Sequence, residues 1–370
     1  MRKIKFIFLL FFIPFLLSAQ MQWFLATDSA PWRYVDKHTS VVFDNKMWVI
    51  GGDRQDVWYS SDGINWICAT ESAGFGYRNR HTSVVFDNKI WVIAGERSWC
   101  LTRDVWYSSD GINWICATQN APFRHRAEHT SVVFDNKIWV LGGITCDTLT
   151  GEEIVLNDVW YSSDGINWTC ATESAGWYPR RSHTSVVFDN KIWIMGGWSY
   201  DSVIGETLWN DVWYSSDGIN WTCATENAGW YPREDFASIV FNNKIWVIAG
   251  ATHGWPYKDD VWYSSDGINW VCADESVHWG RPPRLRHTSV VFDNKMWVIG
   301  GMLKDDVWYS YGLEVLEEYS HKPKIETKEF NRKKEKIYNI QGVLIKEENL
   351  KKGIYFRKTE KDIKKVIILK

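Results

Sequence analysis

One stretch returns along most of the chain. TSVVFDNKIWVIAG, a variable insert and DVWYSSDGINWICAT run from Thr82 to Thr118, and SVVFDNK or a close variant begins at Ser40, Ser83, Ser131, Ser185, Ser238 and Ser289. The spacings are 43, 48, 54, 53 and 51 residues. A period near 50 with four short hydrophobic runs per copy marks a radial or stacked all-β array, because one such unit cannot bury both of its faces alone.

Each copy reads as four strands. HTSVVFD and KIWVIAG flank an Asp-Asn turn, while DVWYSSD and INWICAT flank an Asp-Gly turn; both dipeptides tolerate positive φ and favour tight hairpins. Val, Ile, Trp, Tyr and Thr fill the runs, and Gly, Asn, Asp and Ser separate them. The unit is a four-stranded meander.

The residues of this unit resemble the kelch motif. A glycine pair closes the second strand at Gly51-Gly52, Gly142-Gly143, Gly196-Gly197 and Gly300-Gly301, with Ala94-Gly95 and Ala249-Gly250 in the other copies; a Tyr in the third strand is followed seven positions later by Trp, as in Tyr59 and Trp66. The resemblance covers residues 22 to 311 and implies an all-β, six-bladed β-propeller of kelch type. SSDGINW also approaches the Asp-box of sialidases, but Gly follows Asp directly, so it reads as a hairpin turn. The sixth copy breaks after Ser310 and lacks its INWxCAT strand. Met21 to Asp28 aligns with Ile64 to Glu71, so the expected ring is closed by the N-terminal strand pairing with Val307–Ser310, which leaves no unpaired sheet edge in that blade.

Residues 1–19 carry a basic start (Arg2, Lys3, Lys5), an apolar run from Phe6 to Leu17 and small residues at Ser18-Ala19. This is the pattern of a secretory signal peptide. No other apolar run approaches transmembrane length, so the mature chain is expected to have no membrane span. The propeller is assigned to residues 20–313, a Lys-rich linker to 314–336 and a small β segment to 337–370. Residues 321–370 hold 16 Lys plus Arg against 7 acidic residues, whereas the chain as a whole is at −3, so the propeller is acidic. In an exported chain this basic tail does not argue for nucleic acid. Ile337-Tyr338-Asn339 with Gly342, Leu350 with Gly353-Ile354-Tyr355, and Lys364-Lys365 before Val366-Ile367-Ile368 resemble the C-terminal sorting domain of type IX secretion. That resemblance implies the secretion machinery as a partner and a secreted or outer-surface location.

Cys68, Cys116, Cys170, Cys223 and Cys272 occupy one position of successive fourth strands, beyond disulfide reach of each other, and are expected to be small buried residues. Cys100 and Cys146 lie in inserts of adjacent copies, making them a candidate disulfide. His38, His81, His129, His183 and His287 precede Thr-Ser, at the start of a strand that lines the central channel of a propeller. Symmetry spreads these imidazoles around the channel rather than gathering three at about 2 Å from one ion, so no metal is assigned. Phe236 replaces the histidine in the fifth copy. No nucleophile–base spacing, phosphate loop or HExxH is found, and no cofactor or catalytic residue is assigned.

The residues outside the repeat are concentrated in two classes of loop. Of the 26 Trp, 18 are repeat positions; Trp32, Trp99, Trp177, Trp198, Trp209, Trp230, Trp255 and Trp279 are not. They lie in the loops joining strands two and three or joining successive copies, which emerge on one face of a meander. The Arg residues from 20 to 320 lie there as well. Trp32, Arg78, Arg80, Arg124, Arg126, Trp177, Arg180, Arg181, Trp230, Arg233, Trp279, Arg284 and Arg286 therefore form the expected ligand face. The bland reading is that Arg ties neighbouring blades together and that Trp of GWYPR caps the core.

Three functions are open. The first is an exported monomeric module that binds a glycan or extracellular protein by Trp stacking and Arg ion pairing. The second is an enzyme such as the sialic acid mutarotases, which the chain resembles only at fold level; Arg126 with Glu128 or Arg233 with Glu234 would be the pair to test. Galactose oxidase shares the repeat, but its copper ligand set is absent. The third is a structural surface repeat protein.

Overall fold

The computed structural model describes residues 21–313 apart from 33–34, 148, 202–204, 254–256 and 281–282, together with strands at 336–339, 344–345, 353–358 and 363–368. The expected signal peptide, the greater part of the linker and Trp255 lie outside the described residues. Six four-stranded antiparallel sheets follow the repeat, each strand pairing with its neighbour in sequence except at the ring closure. In blade 2, for example, the strands are Thr82–Phe86, Lys89–Arg97, Cys100–Ser108 and Ile115–Thr118. The expected all-β, six-bladed architecture is observed.

The tight turns follow from their side chains. Asp44 and Asn45 both adopt positive φ (47° and 53°), as a two-residue type I′ hairpin requires. In the Asp-Gly turn the Asp62 carboxylate accepts bonds from the Ile64 and Asn65 backbone N–H groups and from Asn65 Nδ2, each at 2.8 Å. Burial alone would raise the Asp62 pKa, but these bonds and that from Ser60 hold it down at about 2. The glycine is compulsory: a Cβ on Gly111 would stand 2.1 Å from the ring of Trp48, one blade away.

The first blade's neighbour on one side is the last. Phe24–Thr27 completes blade 6, with Phe24 opposite Tyr309, Leu25 opposite Trp308 and Thr27 opposite Val307. Six apolar clusters fill the six gaps between blades. Alternation along one strand decides which gap each residue enters: in blade 1, Trp48 and Ile50 pack forward against Ile90 and Val92, whereas Met47 and Val49 pack back against Phe292 and Ile299. The second and third strands of blades 2, 3 and 4 run on to Arg97–Cys100, Cys146–Glu153 and Asp201–Gly205, forming tall hairpins; those of blades 1, 5 and 6 are shorter.

Residues 317–370 form a second unit. Its strands Lys336–Asn339, Leu344–Ile345, Gly353–Lys358 and Ile363–Ile368 make an antiparallel sheet in which the first stands between the second and third.

Candidate functional site at the channel mouth

The loops that enter successive blades turn inward before they reach the first strand. Trp32, Trp177, Trp230 and Trp279 are 0–3% exposed. Each packs edge-on against the fourth-strand Trp of the blade it enters, as Trp32 does on Trp66 at 4.4 Å and Trp279 on Trp23 at 4.9 Å. Phe75 and Phe123 take the same place in blades 2 and 3. These tryptophans cap the inter-blade cores and are withdrawn from any ligand, which corrects the expectation for them.

Arg78, Arg126, Arg180, Arg233 and Arg284 are likewise buried, at 0–1% exposure. Each pairs with the third-strand aspartate of its own blade: Asp104, Asp158, Asp211, Asp260 and Asp306, at 2.6–2.7 Å. The guanidinium also donates to the carbonyl of the first residue of the diglycine pair, as Arg180 does to Gly196 at 2.8 Å. The carbonyl of the same arginine accepts from the preceding blade, as Arg180 does from the Gly143 N–H at 2.9 Å. A desolvated guanidinium needs all of these acceptors. These five arginines therefore clamp adjacent blades, and the structure corrects their assignment to a ligand face. Val35 takes the place of the clamp in blade 1, where Asp56 pairs with Arg54 at 2.6 Å. Arg126 and Arg233 are thus turned away from Glu128 and Glu234, so neither pair exists as anticipated.

Arg80, Arg181 and Arg286 remain half-exposed at the mouth of the channel, and Arg124 is exposed. The residues preceding the first-strand His or Phe are Lys37, Arg80, Glu128, Ser182, Asp235 and Arg286, all with φ between 51° and 57°. Five backbone bonds of 2.8–3.2 Å link them in order around the axis, beginning with the Arg80 N–H donating to the Lys37 carbonyl and ending with the Arg286 N–H donating to the Asp235 carbonyl. None is glycine, so each left-handed conformation costs about 1–2 kcal/mol and is held by this collar. The collar surrounds a cavity of about 160 Å³.

Its side chains form two ionic groups. Glu128 receives Lys37 at 2.7 Å, Arg80 at 3.3 Å, the Arg181 guanidinium and the Ser182 hydroxyl. Burial would raise its pKa, but the three cations outweigh burial and hold it well below the usual carboxylate range. Arg286 bridges Asp36 at 3.1 Å and Asp235 at 2.9 Å. Glu234 stands apart. Burial, and then the neighbouring Asp235 carboxylate, push its pKa up to about 7 against the opposing pull of Arg181, and no side-chain hydrogen bond or ion pair engages it among the described residues. A carboxyl poised near neutrality, next in the chain to Asp235 of the cavity lining, is able to hold or release a proton there.

Aromatic side chains rise around this collar. Arg181 lies over Trp198 at 4.3 Å, Tyr178 stacks on Trp209 at 4.8 Å, and Lys258 lies over Tyr231 at 4.2 Å. Tyr77, Tyr178, Tyr200 and Tyr231 are exposed, and Trp99 at the tip of the blade 2 hairpin is 94% exposed. Between blades 1 and 2, Asp53, Tyr77, Asn79, Glu96 and Trp99 line a second cavity of about 210 Å³.

Cys100 and Cys146 are exposed and free, which corrects the expected disulfide. Cys146 ends a second strand and senses the charge of Glu96 on the second strand of the preceding blade, whereas Cys100 starts a third strand, one strand further out. The five fourth-strand cysteines are free and half-buried rather than buried. Four of the channel histidines bond through Nε2 to the threonine hydroxyl of the preceding blade, at 3.0–3.1 Å. Among the described residues no group of three His, Cys, Asp or Glu side chains is arranged to hold a metal ion.

Lys37 and Asp235 are mouth residues that Trp and Arg positions do not reveal, and Glu128, named from sequence only as a partner for Arg126, is a third. Their signal was present: the position before each first-strand histidine or phenylalanine reads Lys, Arg, Glu, Ser, Asp and Arg in successive copies, a changing position inside a fixed repeat.

Residues 81–301 match the KLHDC2/KLHL20/DRC7 Kelch-repeats domain family. Among curated proteins, the chain is 30% identical over 95 residues to the dynein alpha chain of the flagellar outer arm of Chlamydomonas reinhardtii, covering 24% of this chain and 2% of that one. It is 25% identical over 177 residues to Ras guanine nucleotide exchange factor F of Dictyostelium discoideum, covering 47% of this chain and 16% of that protein. The chain thus spans less than a fifth of the length of either relative. The solved structure of YjhT superimposes with a TM-score of 0.60 at 16% identity, over 77% of this chain and 96% of that one, a likeness of fold. With the repeat, the closed ring and a family match over more than half its length, the chain belongs to the kelch-repeat family of β-propellers.

Proposed function

We propose that this propeller is an exported binding module that takes a glycan or an extracellular protein at the channel mouth. The observation that carries the reading is the collar. Charged and polar side chains at one repeat position, Lys37 through Arg286, are gathered on strained backbone around a cavity, beside three tall hairpins of which those of blades 2 and 4 carry the exposed rings of Trp99 and Tyr200. Rigid scaffold with variable loops is the arrangement in which binding residues concentrate. Exposed tyrosines and Trp99 supply flat faces for sugar rings or apolar side chains, and Arg80, Arg181 and Arg286 supply ionic contacts at half-exposed positions. Kelch propellers typically serve as interaction modules, and no described helix is long and apolar enough to cross a membrane.

One observation favours a second reading. Glu234, with its pKa near 7 beside Arg181, has the protonation behaviour of a general acid or base and supports a sugar-modifying activity at the same mouth. Export is supported by the basic, apolar and small-residue order of residues 1–19, and sorting through the tail by the Gly-Ile-Tyr and Lys-Lys motifs of residues 337–370. A reporter carrying residues 321–370 should reach the medium or outer surface of a type IX-competent host; retention in the periplasm counts against sorting by the tail. For the module itself, the full mature chain is screened on glycan and extracellular-protein arrays. A hit weakened at least tenfold by Tyr178→Ala, at an exposed ring, with an unchanged Tm supports the reading. Hits insensitive to substitutions anywhere on the mouth overturn it.

A further inference from the structure

The fifth blade breaks the channel's hydrogen-bond ring. Elsewhere the Nε2 of each first-strand histidine meets the threonine hydroxyl of the preceding blade, as in His183 with Thr130 at 3.1 Å and, across the closure, His38 with Thr288 at 3.0 Å. Phe236-Ala237 stands where the repeat has His-Thr. Thr184, deprived of its histidine, bonds to Ser238 alone, whereas Thr39 bonds both Ser83 and His81. His287, deprived of its threonine, has neither ring nitrogen bonded although it is only 5% exposed. It is the one channel histidine with a free Nε2 among the described residues.

That imidazole opens into a cavity of about 200 Å³ inside the channel, below the collar, lined otherwise by first-strand Thr and Ser and by Ala237. The hydroxyls of Ser40, Ser131, Ser185 and Ser289 on its wall also lack partners. Leaving such buried groups unsatisfied costs about 1–3 kcal/mol each, so the cavity holds a polar occupant. Its volume exceeds several times the roughly 30 Å³ occupied by a water molecule. No carboxylate lines it. Hydroxyls can all turn their protons inward, His287 can donate one N–H, and the charged side chain that acts on His287 is the Arg284 guanidinium. Arg284 is itself paired with Asp306, so it is the lining, with hydrogen-bond donors and no carboxylate, that matches an anion.

We propose that the channel binds a small monovalent inorganic anion of halide type, held by His287 at the gap left by Ala237. His287 lines both this cavity and the one inside the collar, so the site lies directly below the mouth. The test uses bromide as the probe, on the full mature chain. At constant ionic strength, replacing gluconate by bromide should raise Tm by several degrees, and bromide anomalous scattering should show a peak within hydrogen-bond reach of His287. Ala237→Thr restores the repeat's hydroxyl to His287, so it should fold at least as well as the parent, lose the bromide shift and lose the peak. An occupied peak that survives unchanged in Ala237→Thr overturns the assignment to His287. No peak and no shift in the parent, with density for water alone, overturns the anion site.

Discussion

Lowering the pH from 8 to 5 should unfold the propeller through its channel histidines. All five are 3–5% exposed. Burial holds the pKa of His38 near 4 and those of His81 and His183 near 3, against 6.5 for a free imidazole, with His129 and His287 moved in the same direction. A folded pKa below the unfolded one means that stability is full above pH 6.5 and is lost as pH falls towards the folded value, because the unfolded chain takes up protons first. At pH 5 each histidine then costs about 2 kcal/mol, and the five together about 10 kcal/mol. Glu234 works oppositely. Its folded pKa of about 7 lies above the ordinary 4.5, so protonation in the folded state returns about 2–3 kcal/mol over the same interval. The net loss of about 7 kcal/mol is comparable with the entire stability of many domains. The urea midpoint of the full mature chain, measured at pH 8, 7, 6 and 5, should fall steeply below pH 6.5, with about three to four protons taken up on unfolding near pH 5.5. His183→Gln keeps a hydrogen-bonding group near Thr130 without a titrating one and should remove about one proton from that uptake. A midpoint level from pH 8 to 5 would refute the reasoning.

Other outcomes follow from the packing. Trp177→Ala empties a cap site and should cost about 3–5 kcal/mol, whereas Trp99→Ala at an exposed hairpin tip should shift stability by less than about 0.5 kcal/mol; denaturant titration separates them. Asp211→Asn leaves the buried Arg180 guanidinium without its counter-charge and should cost about 3–5 kcal/mol, visible as a lowered Tm. Deleting residues 20–30 removes the strand that closes blade 6 and the Trp23–Trp279 contact, so the truncated chain should lose several kcal/mol; an unchanged melting temperature would place the closure elsewhere. Gly111→Ala forces a Cβ into Trp48 and should destabilise, while Gly205→Ala meets no atom within 4 Å and pays only for its positive φ.

The architecture was readable because the same pattern states it six times. Alternation of Trp48 and Ile50 against Met47 and Val49, the Asp-Asn and Asp-Gly turns, and the orphan strand at Trp23 each specify a local structure that agrees with its neighbours. The candidate site was harder to read. Sequence places Trp177 and Arg180 in a loop but does not say that the loop folds back over the core. The available clue was recurrence: Arg180 and Asp211 return at fixed positions with their counterparts, which marks a clamp belonging to the scaffold. Lys37, Glu128 and Asp235 occupy one repeat position with different chemistries, which marks a position released from the scaffold. Glu234 was named from sequence as a partner for Arg233, but its raised pKa could not be read there, because it arises first from burial, which only the fold creates.

The proposed function puts a partner on the loop face, at the channel mouth. Its most direct measurement compares the two faces on whichever array ligand the full mature chain retains. Tyr178→Ala with Tyr231→Ala should weaken binding at least tenfold while Tm stays within about 2 °C, since both side chains are more than half exposed. Lys46→Ala with Lys137→Ala, in the hairpin turns on the opposite face, should leave binding as it was. Loss of binding from the hairpin-face pair with full binding by the mouth pair would contradict the claim.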